Sequence, residues 1–164
     1  MKQILWKNIG SKEIKQLNNW LSEQDKHNLC MQEKSWEQIA ADIDDCLRIM
    51  DNAQFKNIMG FVEGNAIVAL MFGIEHIETL NLYNIAVNPK YRNMGIAKKV
   101  VLKLLNNDKS LNLTSKYKTV KASVLPDNAE ALKLFKSLNF KNLGFDGEYV
   151  VFEKDIVKTA ENVR

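Results

Sequence analysis

At 164 residues, with 46% hydrophobic and 26% charged residues, the composition is that of one soluble globular domain with a sizeable core. No stretch approaches 18 apolar residues, which excludes a membrane-spanning helix, and MKQILWKNIG lacks the apolar run of a signal peptide, so a cytoplasmic location is expected. Cys30 and Cys46 form no CxxC pair and His27 and His76 are far apart in the chain, which argues against a metal site or a disulfide framework. The net charge of +3 hides a split. Residues 11–55 carry nine acids against five bases, and residues 88–121 carry nine bases against Asp108 alone. A balance of about −4 in one segment and +8 in the other suits a poly-anionic ligand on one side and a cationic one on the other. Solvated lysines on an outer helix face would look the same.

Lys2 to Lys7 reads as a first strand. Ser11 caps a helix with Ile14, Leu17, Trp20 and Leu21 as its stripe. Residues 22–34 are polar and irregular, and Ser35 opens a second helix that runs to Met50. Phe55 to Val62 and Ala66 to Ile74 are strand-like, joined by a hairpin turn at Glu63-Gly64-Asn65. After a turn at Glu75 to Glu78 comes a strand from Leu80 to Val87, stopped by Asn88-Pro89. Ile96, Ala97, Val100, Val101, Leu104 and Leu105 form the stripe of a helix lying on a sheet. A polar link, 106–115, leads to a strand from Lys118 to Leu125 that Pro126 ends. Asp127 and Glu130 have capping-box spacing ahead of Ala131, Leu134, Phe135 and Leu138. Phe140 to Gly144 and Glu148 to Lys154 read as a closing hairpin around Phe145-Asp146-Gly147, and residues 155–164 as a polar tail that frays. The order βααβββαβαββ is α/β: a mixed sheet flanked by helices, with hairpins and one parallel, right-handed β-α-β crossover.

The stretch from Leu80 to Leu105 is the centre of the chain. A strand feeding a small-residue turn and a helix start can bind an anion, because the first helical turn has unpaired N–H groups and the positive end of the helix dipole. Gly95 and Ala97 would let a phosphate approach closely. Gly95 could equally do no more than ease a turn.

Three motifs in the expected order resemble the GNAT superfamily of N-acetyltransferases, over roughly residues 56–154. YRNMGIA (Tyr91 to Ala97) matches its R/Q-x-x-G-x-G/A signature. NIAV (Asn84 to Val87) resembles its pantetheine-lining strand, as in ribosomal-protein N-terminal acetyltransferases. Asn128 to Phe140 resembles its N-x-x-A-x-x-L-Y-x-x-x-G-F segment. The resemblance implies a single GNAT-like domain over 1–164 whose sheet is mostly antiparallel. It implies acetyl-CoA as co-substrate and transfer of the acetyl group to a primary amine by direct attack in a ternary complex. The partners are then acetyl-CoA and an amine, with neither nucleic acid nor membrane, in a monomer or homodimer. Ile85, Ala86 and Val87 would pair with the pantetheine arm, as another strand would. Arg92, Asn93, Met94, Gly95, Ile96, Ala97 and Lys98 would hold the pyrophosphate. Asn128 and Phe135 would complete the cofactor side, although Asn128 is also a natural helix start.

Two departures bear on the chemistry. Phe135 stands where the family often has a tyrosine acting as general acid, and Asn81 and Ser123 stand where carboxylate bases occur. Positioning supplies roughly 7–11 kcal/mol, against roughly 3–5 kcal/mol for acid–base help. Positioning is the larger of the two, so catalysis does not require the tyrosine. Tyr83, Ser123 and Glu78 are the candidate catalytic residues, with Glu75 and His76 behind them, and Asn81 and Tyr83 share a strand face with Ile85. The acidic N-terminal region suits a cationic amine. Two other readings stand beside this one: a non-catalytic acyl-CoA sensor, which Phe135 favours, and a generic nucleotide-binding protein, against which the missing GxGxxG and GKS/T patterns weigh.

Overall fold

The computed structural model describes residues 5–8, 20, 22–28, 38, 57–63, 66–106 and 117–156. The expected helices from Ser11 and Ser35, the turn at Gly64-Asn65, the link after Asn106 and the tail after Ile156 lie outside the described residues. The elements are β1 (Leu5–Asn8), α1 (Glu23–Asn28), β2 (Asn57–Glu63), β3 (Ala66–His76) and β4 (Thr79–Val87). They are followed by α2 (Ile96–Leu105), β5 (Thr119–Val124), α3 (Ala129–Ser137), β6 (Lys141–Asp146) and β7 (Tyr149–Asp155).

The strands form one seven-stranded sheet in the order β1-β2-β3-β4-β5-β7-β6. The pairs β1–β2, β2–β3, β3–β4, β5–β7 and β6–β7 are antiparallel, and β4–β5, joined through α2, is the parallel pair. The stripe predicted for α2 is the face it buries: Ile96, Val100, Val101, Leu104 and Leu105. They join Val68, Met71, Leu80, Leu82, Val120, Val124 and Phe152 in one core. Tyr117 closes that core from below, its hydroxyl donating to the Leu104 carbonyl at 2.8 Å.

Four local expectations need correction. Residues Glu23–Asn28, read as irregular, form α1. The Asp25 N–H donates to Ser22 Oγ at 3.2 Å and the Ser22 N–H donates to the Asp25 carboxylate at 2.8 Å. That reciprocal cap satisfies helix-end donors without any apolar stripe. The cap of α3 is Asn128 rather than Asp127: its Oδ1 accepts from Ala131 N–H at 3.1 Å. The last hairpin turns one step later than expected, at Gly147-Glu148, because Phe145 and Asp146 still pair with Val150 and Tyr149. The β3–β4 turn is only Ile77-Glu78, since the strands pair as far as His76 and Thr79. Ile77 accepts a left-handed φ of 58° there, unusual for a β-branched residue.

Candidate functional site

The sheet forks between β4 and β5. The two strands pair from Thr79–Thr119 to Leu82–Ala122 and then stop. The cause lies on the other side of β4. Leu82 pairs with Gly73 and Asn84 with Phe72, so Tyr83 is an extra residue in the register of the pair. Such a bulge bends and twists the strand that carries it. Beyond it, β4 follows β3 as far as Val87–Ala69 while its opposite edge parts from β5. A groove of about 550 Å³ occupies the fork, walled by Leu82 to Val87 on one strand and Ala122 to Val124 on the other.

The N-terminus of α2 forms one end of the groove. Asn88 anchors the chain as it leaves β4, its Nδ2 donating to the Ile67 carbonyl and its backbone N–H to that of Val68. A 3-10 turn, Pro89–Tyr91, follows, and then Asn93 and Gly95 take left-handed φ values of 61° and 71°. Gly95 is the N-cap and makes no side-chain cap bond, and no such bond to α2's first turn is seen among the described residues. By helix geometry, the first-turn N–H groups therefore wait for a partner from outside the helix. A Cβ built at Gly95 would meet nothing within 4 Å, so the space beside it is open. An uncapped helix N-terminus beside open space is an anion site in waiting.

The expected cofactor residues Ile85, Ala86, Val87, Asn93 and Gly95 line this groove, as do Ile96, Ala97 and Lys98. Met94 does not; it is exposed outside it. Arg92 lines it too, but its guanidinium is already engaged. Nε donates to the Val87 carbonyl at 3.1 Å, and Nη2 lies 3.0 Å from the Asp25 carboxylate and 3.4 Å from the Trp20 carbonyl. Asn128 lines the groove while its carbonyl oxygen caps α3, which leaves Nδ2 as its donor. Phe135 reaches the groove wall yet is only 5% exposed, stacked on Phe152 and edge-on to Phe140.

Of the catalytic candidates, Tyr83 and Ser123 both line the groove. They are the first residue on each strand after the pairing stops. Glu78 is displaced from the site: it lies in the β3–β4 turn, beyond the paired end of β4, and forms an ion pair with Lys118. Asn81 is not part of the groove, because the bulge at Tyr83 separates it from Ile85. The side chains of Glu75 and His76 lie outside the described residues.

Among the groove residues that the sequence reading did not propose are Asn28, Lys133 and Ser137. The last two had a signal, since Glu130, Lys133 and Ser137 follow at helical spacing and so share one face of α3. Asp25 also lines the groove. Burial pushes its carboxyl up, but hydrogen bonds from the Ser22 N–H and hydroxyl and the Arg92 guanidinium outweigh that and hold it below its usual value. Among the described residues no cluster of three His, Cys, Asp or Glu could hold a metal ion. No helix among them is long and apolar enough to cross a membrane.

The model of the acetyltransferase (GNAT) family matches residues 14–140. No curated protein matches the chain. The fold is similar to that of the PaiA N-acetyltransferase from Thermoplasma acidophilum in complex with coenzyme A, at 16% identity and a TM-score of 0.69, covering 93% of this chain and 99% of that one. It is similar to the spermidine N-acetyltransferase from Vibrio cholerae in complex with CoA and spermine, at 14% identity and a TM-score of 0.69, over 94% and 96% of the two chains. It is also similar to the ribosomal-protein-S18-alanine N-acetyltransferase from Escherichia coli, at 17% identity and a TM-score of 0.65, over 99% of both. The forked sheet, the uncapped helix beside it and the family match over most of the chain lead to one conclusion: this chain belongs to the GNAT family of acetyltransferases, with acetyl-CoA as co-substrate.

Proposed function

We propose that the chain transfers the acetyl group of acetyl-CoA to a primary amine, with both substrates held in the fork between β4 and β5. The observation that carries this reading is the groove's continuity. It runs from the uncapped N-terminus of α2, along the unpaired edge of β4, to the hydroxyls of Tyr83 and Ser123. Those parts fit acetyl-CoA. The first-turn N–H groups and the open space at Gly95 suit a diphosphate, and the edge of β4 beyond its pairing with β5 suits an amide-bearing arm. Lys98 and Lys133 add positive charge to the same groove. The Val87 carbonyl, already taken by Arg92, contributes less to pairing than expected.

In the transfer, a neutral amine nitrogen bonds to the acetyl carbon as the carbon–sulfur bond breaks; coenzyme A leaves as its thiolate, and the proton given up by the amine balances it as the free thiol. The residues of this chain hold the reactants and move that proton. Keeping an amine of pKa about 10.4 neutral at pH 7 costs near 4.6 kcal/mol, against about 1 kcal/mol for an α-amine. Tyr83 and Ser123 stand at the fork, where a proton must leave, and we assign them that role. Phe135 has no proton to offer.

An amine acceptor is supported by the acidic balance of residues 11–55 and by Asp25 and Glu130 in the groove. The spermidine and alanine N-acetyltransferases of like fold act on amines and point the same way. The test is thiol release from acetyl-CoA in a panel of polyamines, lysine peptides, peptides with a free α-amine, and neutral amines. Release with cationic amines is the expected result. Release with neutral or acidic amines alone would refute the cationic acceptor, and coenzyme A binding without release on any amine would refute catalysis.

A further inference from the structure

The fork between β4 and β5 closes at the pair Leu82–Ala122. Both residues are buried and belong to the core shared with α2 and α3. On its other side, Ala122 pairs with Phe152 of β7, which is fully buried. Phe135 of α3 stacks on Phe152, with centroids 5.6 Å apart and ring planes at 23°. It meets Phe140 edge-on at 5.0 Å. The register therefore sets the Phe135 ring at the level of the fork's closed end, where it lines the groove together with Leu82 and Ala122. A ring wedged between two others in a close-packed core does not swing aside without cost.

The length of coenzyme A brings its sulfur to this level. The arm from diphosphate to sulfur is about as long as four residues of extended chain, at roughly 3.3 Å per residue. With the diphosphate at the start of α2, the arm spans the edge of β4 from Val87 back to Tyr83. The acyl carbons beyond the sulfur then meet Leu82, Ala122 and Phe135. None of these side chains has a polar atom. An added methylene has to displace a packed ring, and an acyl carboxylate would lose its water without gaining a partner from them.

We propose that Phe135 is the acyl-size stop of this chain. With Leu82 and Ala122 it forms a dry end to the groove that takes an acetyl group and rejects longer or charged acyl groups. The inference rests on the acetyl-transfer reading and gives Phe135 a part in choosing the donor, separate from any proton transfer.

The test compares acetyl-, propionyl-, butyryl- and succinyl-CoA in the parent, Phe135→Leu and Phe135→Ala, with a melting temperature for each protein. Thiol release is measured with the fastest amine of the panel above, and affinity by calorimetry. In the parent, kcat/KM should fall about tenfold or more from acetyl- to propionyl-CoA, the discrimination expected for one methylene in a closed apolar pocket. It should fall further for butyryl-CoA, and succinyl-CoA should give no turnover. Relative to acetyl-CoA, propionyl-CoA should gain several-fold in Phe135→Leu, and butyryl-CoA about tenfold in Phe135→Ala. Equal kcat/KM for acetyl- and butyryl-CoA in the parent would overturn the stop. So would an unchanged donor preference in Phe135→Ala, or in Phe135→Leu if the alanine variant does not fold. If no acyl-CoA released thiol with any amine, the acetyl-transfer reading would fail and the affinities would decide. Weaker binding of butyryl- than of acetyl-CoA, relieved in the variants, would then uphold the stop, and equal binding in the parent would overturn it.

Discussion

Phe135 shows how one residue can keep its place and change its work. Its ring is nearly buried, with its centroid 5.0 Å from that of Phe140 and 5.6 Å from that of Phe152. Replacement by alanine should cost about 3–5 kcal/mol in urea unfolding, the range for a buried aromatic ring. A loss under 1 kcal/mol would show that the ring does not belong to the core. Proton transfer is assigned instead to Tyr83, which is 58% exposed at the fork, and to Ser123 across from it. Tyr83→Phe should lower kcat by about 10²-fold while coenzyme A affinity stays the same; an unchanged kcat would remove the hydroxyl from the mechanism. Residue identity made the groove legible where the backbone does the binding, as at Gly95. It was silent where a side chain has partners far along the chain: spacing does not reveal that Asp25 and the Trp20 carbonyl fold back onto Arg92.

The elements obey local rules that the sequence displays, and fail where pairing extends them. The stripe of α2 was readable because a helix on a sheet must bury one face. The bulge at Tyr83 was not, since a bulge depends on how two strands register and no single strand carries that mark. Gly73 belongs to the same feature. A Cβ there would lie 3.2 Å from Leu80 Cδ1 and 3.3 Å from the Asn81 carbonyl, beside the bulge. Gly73→Ala should destabilise the fold by about 1–3 kcal/mol, as overpacking does, and a melting temperature equal to the parent's would count against this close approach. Helix α1 carries a pH dependence. The Asp25 carboxyl is held below its ordinary value of 3.8 in the folded chain, so its contribution is complete above that value. It is lost as the pH falls from 3.8 through the lower folded value. Protection from exchange at Lys26 to Asn28, taken relative to the intrinsic rate at each pH, should fall more from pH 5 to pH 3 in the parent than in Asp25→Asn; parallel profiles would contradict the assignment.

At the scale of the molecule, the succession of elements was legible because the hairpins and the β4–α2–β5 crossover left a composition signal, from Glu63 and Gly64 to Gly147, whereas the placing of β7 between β5 and β6 left none. The groove was half legible. Its β4–α2 wall lies on contiguous sequence, whereas Asp25 and Asn28 come to the groove from far earlier in the chain. The uneven charge of the chain has a consequence for binding. Lys98 and Lys133 in the groove, within the wider excess of bases over 88–121, should make coenzyme A affinity fall with added salt. An affinity unchanged between low and high salt would confine recognition to the backbone donors. The central claim is that the uncapped start of α2, with open space at Gly95, receives the diphosphate of acetyl-CoA. The most direct measurement is calorimetry of coenzyme A against the parent and Gly95→Val, with melting temperatures recorded for both. A loss of affinity of about tenfold or more is predicted, with a stability cost of only about 1–2 kcal/mol for a side chain at this left-handed φ; equal affinity in the two proteins would contradict the account.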